Sequence, residues 1–147
     1  MFHVVVEDMD EPSSRKSARR NRSIPVRGGV AIVLAVLVNA VLVVGLNSLD
    51  IAPGFDPLTL TPVAFFSAVG AAGAAVVYWI LNRYVTDVNR VFMRVAGAVL
   101  VLSFVPDIAL LAVDPAATVL GVIALMVMHV TVAVASVWAL VYWGSKQ

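Results

Sequence analysis

The chain contains no cysteine. Disulfides, thiolate nucleophiles and cysteine-ligated metal sites are therefore excluded. Charge is scarce as well: 13% of the 147 residues are Asp, Glu, Lys or Arg, against about a quarter in a soluble domain. Hydrophobic residues make up 61% of the chain, and the mean hydropathy is +0.98. A soluble domain has no place for that excess, because a compact chain of this length keeps about a third of its surface wet. These shortages exclude an ordinary soluble enzyme and a nucleic-acid-binding module. Catalytic signatures are missing too: there is no G-x-S-x-G, no H-E-x-x-H and no Walker loop. No catalytic residue, metal or cofactor is expected.

What the sequence does have is four long apolar runs, each near the roughly 20 residues that cross a bilayer core. They span Gly28 to Leu46, Pro62 to Leu81, about Val95 to Val113 with Phe92 and Met93 extending it, and about Thr118 to Tyr142. Lipid leaves the backbone no outside partners, so the spans are helices; a closed barrel would need alternating strands, and alternation is absent. The expected fold is all-α, an antiparallel four-helix membrane bundle over residues 28–147. Thr61-Pro62 and Asp114-Pro115 read as an N-cap followed by proline at the first helical position, and Asp87 as a cap for the third span.

Orientation follows from the ten basic residues. Six (Arg15, Lys16, Arg19, Arg20, Arg22 and Arg27) precede the first span, Arg83, Arg90 and Arg94 lie between the second and third, and Lys146 follows the fourth. The other two loops carry Asp50, Asp56 and Asp114 instead. The positive-inside rule then places both termini in the cytoplasm and the protein in the cell membrane. Tyr78, Trp79, Tyr84, Trp138, Tyr142 and Trp143 read as interfacial anchors near the basic end, Phe65 and Phe66 near the acidic one. Residues 1–27, acidic from Glu7 to Glu11 and basic from Arg15, read as a disordered tail touching anionic lipid and not nucleic acid.

Few intramembrane residues carry chemistry. Asn39, Ser67, Ser103, Asp107 and His129 lie at depths of roughly 8 to 18 Å from the acidic end, close enough in level for one cluster. Helical spacing groups Ala31, Ala35 and Asn39 on the first span, and Ser67, Gly70 and Ala74 on the second. It groups Ala96, Ser103 and Asp107 on the third, and Gly121, Leu125, His129 and Ser136 on the fourth. Stripes of small and polar residues favour close helix packing, with Gly70, Ala74 and Gly121 as contact points. Asp107 follows Pro106, which removes a bond to the Leu102 carbonyl and is expected to kink the helix. Two readings of Asp107 and His129 stand side by side: groups bonded within the bundle, or a proton or cation site. Ser103, Asp107 and His129 contain the residue types of a hydrolytic triad, a coincidence of type without an oxyanion hole.

Three segments together (P-V-A-F-F-S-A-V-G-A-A-G-A from Pro62 to Ala74, V-P-D from Val105 to Asp107, and Met128-His129) resemble a family of small prokaryotic four-helix integral membrane proteins classed as a domain of unknown function. The resemblance covers roughly residues 30–143. It implies the four-helix fold, draws attention to Asp107 and His129, and implies no activity. Two functions fit the chain: a non-catalytic accessory or scaffold component packing with a membrane partner or with itself, or a small oligomeric transporter or channel moving a proton or small solute past Asp107 and His129.

Overall fold

A computed structural model describes the backbone of residues 11–143 and the side chains of residues 23–143. It is an all-α bundle of four helices: α1 (Glu11–Ser48), α2 (Leu60–Tyr84), α3 (Val88–Val113) and α4 (Val119–Val137). Each contains a stretch long and apolar enough to cross a membrane. The chain is thus a multi-pass membrane protein. α1 packs most extensively on α2, and α4 touches all three other helices. α3 leans on α4 and, to a lesser extent, α2; only 6% of its span is buried.

Several boundaries differ from those read in the sequence. α1 takes in Glu11 onward, so residues 11–27 are helical where a disordered tail is expected. Helix growth is cooperative once a span nucleates it, and Arg, Lys and Ala propagate it well. Pro25, inside the helix, removes a single bond. The acidic residues Glu7, Asp8 and Asp10, and Lys146, lie outside the described residues.

The caps also move. α2 starts a residue ahead of Thr61, with Thr59 at its N-cap, and the Thr59 hydroxyl donates back to the Asp56 carbonyl at 2.7 Å. Asp87 sits at the N-cap of α3 without a side-chain bond. Asp114 closes α3, and its Oδ1 accepts from the Ala116 N–H at 2.9 Å. Thr118 caps α4, its Oγ1 accepting from the Gly121 N–H at 3.0 Å. The Asp-Pro pair therefore builds the turn, and the threonine three residues later starts the helix. α3 runs unbroken through Pro106.

The interior is layered from the acidic end to the basic end. The α1–α2 loop turns at Gly54, whose φ of +75° suits glycine, and folds Phe55 and Leu58 into the bundle mouth. There they meet Val43, Val63, Leu125 and Met128. Below lies a layer of Ala31, Ala35, Ala71 and Ala139. The basic end is floored by Ile24, Tyr78, Val88, Phe92, Leu140 and Val141, with the Tyr78 and Phe92 rings edge-to-face at 5.1 Å. Tyr78, expected at the interface, is buried because its hydroxyl donates to Asn89 Oδ1 at 2.9 Å and braces the α2–α3 turn. Trp79, Tyr84, Trp138 and Tyr142 are exposed, as are Phe65 and Phe66.

The last turn of α4 widens to a π-helix over Trp138–Tyr142. Its i to i+5 repeat sets Trp138 and Trp143 over one another with ring planes 3° apart. Arg27, buried at the same level, reaches the Leu140 carbonyl with Nη1 at 3.5 Å. A cation there complements the negative end of the helix.

Candidate functional site: two polar pairs on α4

The row Ala31, Ala35, Asn39, Val43 advances by four residues each time and is wholly buried. Asn39, 1% exposed, thereby enters the bundle between the alanine layer and the apolar mouth. Its Nδ2 donates to Ser67 Oγ of α2 at 2.8 Å and to the Met128 carbonyl of α4 at 3.2 Å. One amide thus ties three helices. The Met128 carbonyl accepts only, which fixes the amide's orientation and leaves Asn39 Oδ1 buried without a partner.

Asp107 and His129 form a separate pair across α3 and α4. His129 Nδ1 lies 3.1 Å from Asp107 Oδ2 and 2.9 Å from the Leu125 carbonyl, one turn earlier on its own helix. A carbonyl cannot donate, so Nδ1 carries the hydrogen, and that hydrogen points at Leu125. Asp107 Oδ2 lies within ion-pair distance and receives no well-aligned hydrogen bond. The carboxylate is 8% exposed and the imidazole 39%.

The single cluster expected from depth becomes two pairs, one on each side of the Met128-His129 step of α4. Successive helical residues point about 100° apart, so neighbours in sequence serve different interfaces. Ser103 joins neither pair: its hydroxyl, half-buried, donates to the Leu100 carbonyl of its own helix at 2.7 Å. With Ser103 turned to Leu100 and His129 to Leu125, the two share no hydrogen bond and a triad does not form. Two ligand side chains fall short of the three or four that hold a metal, and among the described residues no group of three His, Asp or Glu gathers.

The packing positions are partly re-sorted. On α2 the buried row is Val63, Ser67, Ala71 and Tyr78. Ala71 takes the centre of the stripe that the sequence assigns to Gly70 and Ala74. The run V-G-A-A-G-A-A offers small residues on every face, so spacing alone could not choose among them. Ala74 stays half-buried against the basic-end floor. Gly70 still has a role: a methyl there would meet Val132 of α4 at 3.3 Å. At Gly121 a methyl would meet Phe55, Thr118 and Ala52 at 3.1 to 3.2 Å, so this glycine makes room for the folded-in loop. Sequence reasoning missed Gly28, where a methyl would lie 2.9 Å from Ala75 Cβ. It also missed Phe55 and Leu58, hidden in a loop whose Pro and Gly residues read only as turns.

No curated protein and no solved structure matches the chain. Residues 13–145 match the model of the family of unknown function DUF6069, which takes in all four helices and both polar pairs. The chain belongs to that DUF6069 family.

Proposed function

We propose that the protein is a non-catalytic component of the cell membrane that works by packing with a membrane partner or with a second copy of itself, both termini facing the cytoplasm. One observation carries this reading: Asn39 bonds Ser67 and the Met128 carbonyl and His129 bonds the Leu125 carbonyl beside Asp107, all within the bundle, and apolar layers close over the first pair. Above Asn39 and Ser67 stand Phe55, Leu58 and Val43; below stand Ala31, Ala35, Ala71 and Ala139. Toward the acidic end the layer of Phe55, Leu58 and Val43 interrupts any polar path from Asn39, whereas a proton or ion path needs an unbroken chain; toward the basic end Ser136 and Arg27 are buried among apolar side chains. The lack of catalytic motifs supports a role through association. The distribution of arginines and aspartates supports the orientation.

The test is reconstitution of the purified chain in liposomes, with cross-linking in the native membrane. The expected result is proton and solute flux no greater than in empty liposomes, together with a cross-linked partner or dimer. Flux that Asp107→Asn abolishes would overturn the reading. It would favour the second one, an oligomeric transporter for a proton or small solute, for which the 3.1 Å Asp107–His129 contact and the part-exposed imidazole speak. Orientation is checked by single cysteines at Ser14, Asp56 and Ser145, clean labels in a cysteine-free chain. Only Asp56→Cys is expected to react with an impermeant reagent from outside.

A further inference from the structure

We infer that the seam between α3 and α4 is a binding site for one anionic phospholipid, with an acyl chain in the seam and the headgroup phosphate on Arg90 and Arg94. On the basic side of the Asp107–His129 pair an apolar groove of about 380 Å³ lies between α3 and α4. Met93, Ala96, Gly97 and Leu100 form one wall, and Ala133, Val137 and Trp138 stand on the other. Gly97 has nothing within 4 Å of where a side chain would begin, so a missing side chain makes part of the space.

Size and charge together choose the occupant. The groove runs from Met93 to Leu100, about 10 Å along the axis at helical rise. An apolar groove of that length takes a stretch of a single hydrocarbon chain, and the charge at its mouth selects the head that chain carries. At its basic end Arg90 stands one turn from Met93, and Arg94 stands one turn from Gly97, on the flank of the same face. Both arginines are exposed, and no described carboxylate pairs with either. Exposed Trp138 and Tyr142 rim the same end, at the level where aromatic side chains meet headgroups. An apolar slot with exposed cations at its interfacial mouth complements an amphiphile whose head is a phosphate and whose tail is apolar. Basic pockets between membrane helices recognise lipid headgroups in this way.

The test uses the full chain in phosphatidylcholine nanodiscs doped with spin-labelled phosphatidylglycerol or spin-labelled phosphatidylcholine. The motionally restricted fraction of each label reads its association with the protein. Wild type is expected to favour phosphatidylglycerol by severalfold at low salt, at roughly fivefold per arginine contact before screening. Arg90→Gln/Arg94→Gln should bring the ratio close to one. Gly97→Leu, which fills the groove from a position with open space around it, should remove the preference with both arginines intact. Arg83→Gln, on α2, should leave it unchanged. Equal association of the two lipids with wild type would overturn the inference. So would a preference that survives Gly97→Leu, since the headgroup would then be held by surface charge without the groove. A loss in Arg83→Gln as large as in the double variant would point to the whole basic face and overturn it likewise.

Discussion

Replacing Gly28 by alanine tests the closest approach in the bundle. The added methyl meets Ala75 Cβ at 2.9 Å, about half an ångström inside the 3.4 Å where ordinary contact begins. The atom it meets belongs to another alanine, so no flexible side chain can yield and the helices themselves must part. Overpacking of this kind costs about 1–3 kcal/mol. Against it stands the usual gain of about 0.5–1 kcal/mol when alanine replaces glycine in a helix. Gly29, the next residue, has nothing within 4 Å and takes the gain without the clash. The two substitutions share propensity, depth and chemistry, so their difference isolates the contact, and it is expected at about 1–3 kcal/mol. Unfolding in mixed micelles of rising dodecyl sulfate content, followed by tryptophan fluorescence, measures both. Adding Ala75→Gly to Gly28→Ala removes the opposing methyl and should recover most of the loss, a non-additivity of at least about 1 kcal/mol. Equal stability of Gly28→Ala and Gly29→Ala, or no rescue, would refute the reasoning.

The remaining predictions concern the polar pairs and the mouth of the bundle. A double-mutant cycle of Asn39→Ala and Ser67→Ala should give a coupling of about 0.6 kcal/mol and no more than about 1.7, the span of measured interhelical hydrogen bonds in membranes; the same micelle titration reads it. Asp107→Asn should lower stability by less than about 1 kcal/mol, because the His129 hydrogen already has the Leu125 carbonyl. Infrared or nitrogen NMR signals of His129 should then still report a protonated Nδ1. Phe55→Ala should cost about 3 kcal/mol or more by emptying the mouth of the bundle. Limited proteolysis should cut the α1–α2 loop of that variant faster than in wild type.

The number of helices was legible in the sequence because a bilayer sets their length and leaves the backbone no alternative. So was the inward face of α1: between Ala31 and Val43 the small and polar residues fall on a four-residue spacing through Ala31, Ala35 and Asn39, and every other residue but Ala40 is Val, Leu or Ile. The partners of these residues were less legible. Depth along a helix put Asp107, His129, Asn39, Ser67 and Ser103 at comparable levels, but depth does not say which neighbour a residue faces. Tertiary packing decided that Met128 presents its carbonyl to Asn39 while His129, a residue later, turns to α3. It also decided that Ser103 bonds its own backbone, as a hydroxyl in lipid readily does when no neighbour is close. On α2, where small residues occupy every face, only the approach of α1 selected Ala71 and brought Ala75 against Gly28. The folded-in Phe55 depended on contacts far apart in the chain, and a loop sequence records its turns without recording what it lands on. Local sequence determined the helices and one of their faces, since those follow from bonds and spacings within a few residues. The pairing of the polar groups, the sealed mouth and the groove beside α3 came from how four such helices share limited space.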